Sequence, residues 1–150
     1  MKRNRIIFLI VTIILIIFFI SIPSTLFAMP IEIGNYELNT LNIINDIRED
    51  HNLNRLEISS KLMNVAYDRC EFIIKYNYFN HYYADGSRVC RYGEIFGRMP
   101  PSTKPKIIVD RWVSSSTHLA VILNPVYKSV GIKTMSWGNK TLIVVIFSKY

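Results

Sequence analysis

The longest apolar stretch of the chain lies near its start. Ile6–Ile22 contains no charged residue, follows Lys2, Arg3 and Arg5, and ends at Pro23. A basic start before an apolar run is the layout of an export signal. At roughly 17 residues, the run is longer than most signal cores and at the short limit for a spanning helix. Because apolar side chains would line every face of this helix, a core helix of a globular domain is a poor alternative.

Two fates of this leader stay open. Residues 1–28 are either a signal peptide cleaved after Ala28 or an uncleaved signal anchor. Leu26 is bulkier than a peptidase site usually accepts, which favours the anchor. The basic flank keeps the N-terminal end cytoplasmic. In both cases we expect the rest of the chain outside the cytoplasm, as a secreted or single-pass membrane-anchored protein.

Beyond a spacer over 29–35, the apolar spacing becomes that of amphipathic helices. The predicted helical segments are Asn35 to about His51, a second one capped by Ser59 or Ser60, Lys104–Ser114, and His118–Leu123. The buried stripe of the second is Leu62, Ala66, Cys70 and Ile73. The buried side of the third is Ile107, Ile108 and Trp112.

The last part of the chain has the pattern of a β-hairpin. Lys128–Trp137 is predicted to pair with Lys140–Ser148 across Gly138-Asn139. Because Leu142–Phe147 is apolar at every position, that strand must be covered on both faces. Tyr78–Tyr83 is predicted as a further short strand before a turn at Asp85-Gly86. Together with the helices, this predicts an α+β fold, a three-layer α/β/α sandwich over residues 36–150.

Composition restricts the class of protein. After the leader, about 120 residues remain, enough for one domain with one core. The formal charge is +7, and removing Lys2, Arg3 and Arg5 leaves +4, which gives no argument for a nucleic-acid partner. Basic residues concentrate in one middle loop, where an anionic envelope ligand or a lipid surface is an alternative to plain solvation. They are Arg88, Arg91, Arg98, Lys104 and Lys106.

Two cysteines follow the leader. In an extracytoplasmic compartment Cys70 and Cys90 could form a disulfide. The alternative is two separate buried thiols, since Cys70 falls on the apolar stripe of its helix. The sequence does not choose between them.

Three residues on separate segments can converge on one cleft. His81, Glu94 and His118 offer two imidazoles and a carboxylate, a workable set for a divalent metal such as zinc, with one coordination position open. Either histidine alone would more often be a hydrogen-bonded structural residue. A serine nucleophile, Ser87 or Ser115, lacks a Gly-x-Ser-x-Gly elbow and is disfavoured.

The order of several short motifs resembles the bacterial branch of the CAP superfamily, the SCP-like extracellular domain. In this chain the motifs are Leu62-x3-Ala66-x3-Cys70, Phe79-Asn80-His81, Asp85-Gly86-Ser87, Gly93-Glu94-Ile95, Trp112, His118, Asn124-Pro125 and Val130-Gly131. Each motif is short, but their order and spacing are specific, and they span about Leu38 to the C-terminus.

The resemblance implies an α/β/α sandwich with a central cleft. In the best-known members the cleft holds two His and two Glu, and some members bind zinc or another divalent ion there. His81, Glu94 and His118 match this pattern, whereas Ser115 stands where the second Glu would be. Apolar residues also replace polar ones around the cleft, at Ile95, Leu119 and Val121.

These departures favour a non-catalytic envelope or extracellular binding module. Its cleft, with His81, Glu94, His118 and Ser115, would bind an envelope lipid, glycan or protein. The alternative is a peptidase-like hydrolase that depends on a divalent metal at His81, Glu94 and His118.

Overall fold

The computed structural model describes residues 32–150, and the predicted leader with its Ile6–Ile22 run lies outside them. The described elements are α1 (Asn35–Asp50), β1 (Glu57–Ile58), α2 (Ser60–Tyr76), β2 (Gly93–Met99), α3 (Pro105–Val113), α4 (Ser116–Ile122), β3 (Ser129–Trp137) and β4 (Lys140–Ser148). Between residues 32 and 150, no helix combines the length and apolarity needed to cross a membrane.

One four-stranded sheet organises the fold, in the order β1-β3-β4-β2. β1 runs parallel to β3, and the other neighbours are antiparallel. The predicted hairpin is confirmed, since β3 and β4 pair from Ser129↔Ser148 to Trp137↔Lys140. Gly138 in its turn has a φ of 59°, a left-handed conformation that glycine adopts without steric cost.

Side chains of β4 alternate between two hydrophobic clusters. Ile143, Val145 and Phe147 pack with the apolar faces of α1, α3 and α4. Leu142, Val144 and Ile146 pack with α2. The strand is therefore covered on both faces, as its continuous apolar sequence predicted, and the fold is mixed α/β.

The second helix packs closely on the sheet. Ser59 caps it, accepting a hydrogen bond from the backbone N–H of Leu62 at 3.4 Å. The predicted stripe is buried, and its members Leu62, Ala66, Cys70 and Ile73 are each no more than 3% exposed. Gly131 of β3 makes this packing possible, because a Cβ there would lie 2.1 Å from the carbonyl carbon of Leu62.

Local predictions failed in the middle of the chain. Tyr78–Tyr83 forms no strand beyond an isolated bridge between Tyr82 and Arg88. Tyr78 and Tyr83 pack with each other and with Phe72 of α2, and Phe79 packs on Phe96 and Trp137 at a face of the sheet. The strand in this region is β2, in a segment predicted as loop, and it pairs with β4 along its whole length.

Two helix details also differ from prediction. Gly34, one residue before the predicted cap Asn35, is the N-cap of α1. In α3, Ile107 is 46% exposed while Val109 is buried. Ile108, Val109 and Trp112 share one helical face, and Ile107 lies on the opposite side of it.

Candidate functional site

A cleft of about 370 Å³ contains three of the residues singled out from the sequence. His81 comes from the loop between α2 and β2, Glu94 from β2 and His118 from α4. Ser115 is not among the lining residues; it is the N-cap of α4 and makes no side-chain capping bond. The fold thus brings the two imidazoles and the carboxylate to one place and leaves Ser115 outside it.

Glu94 is the centre of the cleft's polar network. Its side chain is 5% exposed. Arg69 Nε donates to Glu94 Oε1 at 2.5 Å, and Arg69 Nη2 lies 3.4 Å from Oε2. His81 Nδ1 lies 2.6 Å from Oε2. Because an ionised carboxylate only accepts hydrogen bonds, Nδ1 of His81 carries a proton and donates it. Both oxygens of Glu94 therefore already have partners.

Arg69 is the member of this network that sequence reasoning missed. It lies on α2 and is 5% exposed. Besides Glu94, its Nη2 donates to the carbonyl of Asn80 at 2.5 Å, which fixes the loop that carries His81. Its position in the sequence indicated a buried charge, because Arg69 falls three residues after Ala66 and one before Cys70, within the apolar stripe. A buried arginine on such a stripe requires an acidic or carbonyl partner.

His81 is held on two sides. Its ring stacks on Phe96 of β2, with centroids 4.1 Å apart and planes 24° from parallel. Its Nδ1 is bound to Glu94, so Nε2 is the ring nitrogen left for a ligand. The side chain is 36% exposed, which makes it the most accessible member of the Arg69–Glu94–His81 network.

His118 has a buried ring nitrogen, Nδ1, that forms no hydrogen bond among the described residues. Burial lowers the pKa of His118, and the charge of His81 lowers this pKa further. A pKa below the ordinary 6.5 leaves the ring neutral at pH 7. The neutral ring can accept a hydrogen bond from a ligand or bind a metal ion.

The arrangement of these side chains determines whether they can bind a metal ion together. Among residues 32–150 no group of three or more His, Cys, Asp or Glu side chains is placed to hold one. Glu94 would have to exchange its contact with Arg69 for the ion. As arranged, the residues do not fit a three-ligand metal centre, and metal binding at His81, Glu94 and His118 stays a prediction.

Both cysteines are buried free thiols, the second of the two alternatives from the sequence. Cys70 lies in the α2 cluster, and its Sγ is 3.6 Å from the carbonyl of Lys133. Burial raises the pKa of Cys70 to about 12. Cys90 lines the cleft, and burial raises its pKa also. Neither thiol is therefore an activated nucleophile.

The mixed α/β fold and the His/Glu cleft define a CAP-type domain. The model of the Cysteine-rich secretory protein family, CAP, matches residues 41–147, and the chain belongs to this family. A comparison with curated proteins gives no match.

Solved structures share the fold. An outer surface protein from Borrelia burgdorferi is 21% identical, with a TM-score of 0.64 over 79% of this chain and 97% of that one. An extracellular protein containing an SCP domain from Bacillus anthracis is 17% identical, with a TM-score of 0.54 over 74% of this chain and 40% of that one. Hookworm platelet inhibitor is 11% identical, with a TM-score of 0.57 over 77% of this chain and 70% of that one. At these identities the likeness shows the fold alone.

Proposed function

We infer that this CAP domain is a non-catalytic binding module of the bacterial envelope or extracellular space. The observation that carries the inference is the occupied carboxylate of Glu94. Arg69 and His81 bind both of its oxygens in a buried position. A carboxylate held in this way is a poor general base and a poor metal ligand, because freeing it would leave the Arg69 guanidinium buried without its counter-charge.

The groups left for a ligand are mostly uncharged. His118, Asn124, Tyr82 and Tyr127 line the cleft with hydrogen-bonding side chains, and Ala120 and Val121 add apolar surface. This mixture suits a ligand with hydroxyl or amide groups and an apolar part. An envelope glycan, a lipid or a protein segment has such groups.

The proposed location is extracytoplasmic. The basic start and the run Ile6–Ile22 have the layout of an export signal, and the domain proposed over 36–150 would follow it. Solved structures with this fold include an outer surface protein and an extracellular protein. Secretion after cleavage and single-pass anchoring are both compatible with this proposal.

Two assays on the purified chain test the binding role. We expect no turnover of peptide or ester substrates, and we expect members of a glycan and lipid panel to raise the melting temperature. Replacing both cleft histidines, His81→Ala with His118→Ala, should remove that shift. The matched control His51→Ala, at an exposed histidine outside the cleft, should keep it. Hydrolysis that the double cleft variant abolishes would overturn the proposal.

A metal-dependent hydrolase is the second candidate, and the unpartnered Nδ1 of His118 is the observation that favours it. Its test is the metal content of protein purified without chelator, with melting curves with and without added zinc. Near-stoichiometric metal that is lost in His81→Ala but kept in His51→Ala would support this candidate. Absence of both metal and a zinc-dependent shift would remove it.

A further inference from the structure

A second cavity lies beside the cleft and has a different chemical character. Its volume is about 510 Å³. It opens where β2 begins and β4 ends, and its lining includes Gly93, Phe147 and Ser148. It shares Arg88, Tyr92, Gly93 and Tyr127 with the cleft, but His81, Glu94 and His118 do not line it.

Four cationic side chains surround this basic cavity. They come from three separate parts of the chain: Lys61 at the start of α2, Arg88 and Arg91 in the loop before β2, and Lys149 just after β4. Of the described residues that line the cavity, none has an acidic side chain. Within residues 32–150 none of these four cations takes part in an ion pair, whereas Arg55, Arg69 and Lys106 do.

These four side chains are exposed and hydrated, and together they give the cavity a positive field that attracts an anion. Like charges that meet around a concave surface repel one another, and low-dielectric walls concentrate their field. The other basic residues of the segment predicted as a middle loop lie outside the lining, namely Arg98 in β2, and Lys104 and Lys106 at the start of α3. The structure therefore separates the basic loop into two arginines that face a cavity and three residues that do not.

The remaining lining adds hydroxyl and aromatic groups. Arg91 Nη2 donates to the hydroxyl of Tyr92 at 3.2 Å, and this bond lowers the pKa of Tyr92. Tyr127 stacks on Phe147, with centroids 5.5 Å apart. The Tyr127 hydroxyl lies over Gly93, where a Cβ would be 2.4 Å from it. Tyr127 thus lines both cavities and gives the basic one an apolar wall.

We propose that the basic cavity binds the phosphate group of an amphiphilic ligand. Guanidinium groups bind phosphate oxygens with paired N–H donors, and lysines add charge. A phosphate neutralises more of the four charges than a carboxylate does, and the Tyr127–Phe147 wall receives an apolar or aromatic part. A phospholipid headgroup and a soluble phosphate ester both carry this chemistry. The proposal does not depend on the function inferred for the cleft.

Calorimetric titration of the full-length chain in mild detergent tests the proposal. The probes are pyrophosphate and phenyl phosphate as soluble phosphates, and short-chain phosphatidylglycerol as the lipid. Short-chain phosphatidylcholine serves as the zwitterionic control. Binding of phenyl phosphate without phosphatidylglycerol identifies a soluble ester as the source of the phosphate. Tighter binding of phosphatidylglycerol than of either soluble probe and of phosphatidylcholine identifies a lipid. No binding of any anionic probe overturns the proposal.

Matched variants distinguish binding in the basic cavity from nonspecific attraction to the positive charge of the protein. Arg91 and Lys149 line only the basic cavity, so Arg91→Gln with Lys149→Gln should weaken binding at least about tenfold, as loss of charge-assisted contacts does. Arg98→Gln with Lys104→Gln removes the same charges elsewhere and should leave affinity unchanged. Equal weakening by both pairs would overturn the proposal. His81→Gln should not alter phosphate binding, so failure of the cleft function and failure of this site are distinguishable.

Discussion

Two buried arginines lie in different layers of the molecule and have different kinds of partner. Arg48 of α1 is fully buried, and within residues 32–150 its hydrogen bonds all go to backbone carbonyls, namely those of Asn54, Ile122, Asn124 and Tyr127. Arg69 of α2 binds a carboxylate and one carbonyl, and its Nη1 has no partner among the described residues. Arg48 joins α1 to the connection between α4 and β3, whereas Arg69 supports the cleft.

The difference indicates which buried charge belongs to the scaffold and which to the site. Backbone carbonyls are fixed once the chain has folded, so the hydrogen bonds of Arg48 have one arrangement. Their contribution is to the stability of the fold. Glu94 is an ionisable side chain shared between Arg69 and His81, so its hydrogen bonds can be redistributed when a ligand arrives. We expect changes at Arg48 to affect mainly folding, because it reaches the cleft only through the backbone of Asn124 and Tyr127, and changes at Arg69 to affect folding and the cleft through Glu94.

The largest effect is expected for Arg48→Met. Each buried carbonyl that loses its donor costs about 1–3 kcal/mol, so the free energy of unfolding should fall by about 4 kcal/mol. Urea unfolding followed by circular dichroism measures this. Arg55→Met is the control, because Arg55 forms exposed ion pairs with Asp46 and Glu49 that are worth less than about 1 kcal/mol. A loss at Arg48 no larger than at Arg55 would contradict the scaffold role.

A smaller loss is expected for Arg69→Met, about 3 kcal/mol, because Glu94 keeps its contact with His81. Glu94→Gln should also destabilise the fold, since it leaves Arg69 buried without a negative charge. The double variant should be more stable than the sum of the two losses predicts, by about 1–2 kcal/mol. The same urea titrations give this coupling, and simple additivity would show that the two side chains act independently.

Alkylation of Cys70 distinguishes local from global opening. With Cys90→Ala as background, Cys70 should react with iodoacetamide at pH 8 far more slowly than an ordinary thiol, because it is fully buried and burial raises its pKa. Arg69→Met should raise the rate through local opening of the α2 layer, with little dependence on urea. Arg48→Met should raise the alkylation rate through global unfolding, with a steep dependence on urea. If the alkylation rate of Cys70 depended equally steeply on urea in both variants, the assignment of Arg48 to the scaffold and Arg69 to the site would be wrong.

The sequence predicted those elements whose own pattern was sufficient. The β3–β4 hairpin, the α2 stripe and the burial of β4 on both faces follow from periodicity and turn residues. β2 was missed because Gly93, Gly97 and Arg98 weaken its strand pattern, and its pairing with β4 is a tertiary effect. The aromatic segment Tyr78–Tyr83 has strand-like composition, but its rings pack on α2, within the loop and on the face of the sheet without pairing as a strand.

The residues of the candidate site, too, could be predicted from the sequence only in part. His81, Glu94 and His118 were found from the order of the motifs, and in the structure all three line one cleft. Arg69 was not found, because a family motif does not name it and its partner Glu94 is 25 residues away. The placement of an arginine within an apolar helical stripe was the available signal. The partition of the basic loop between the cavity and open solvent depends on the tertiary path of the chain, which composition does not give.

The smallest effect concerns the pH response of the cleft. The lowered pKa of His118 means that the unfolded state binds its proton more readily, so stability should decrease as the pH falls below the ordinary value of 6.5. An NMR titration of the His118 ring should give a midpoint below 6.5. His81→Gln should raise this midpoint, because one positive charge disappears, but burial should keep it below the ordinary value.

Two comparisons complete this test. His51→Gln removes an exposed histidine outside the cleft and should leave the His118 midpoint where it is. Arg69→Met should shift the midpoint, because it changes how Glu94 is shared with His81, while the folded fraction of Arg48→Met should keep the original midpoint. If Arg48→Met moved the midpoint as much as Arg69→Met does, the two arginines would belong to one coupled network. The separation of scaffold from site would then be wrong.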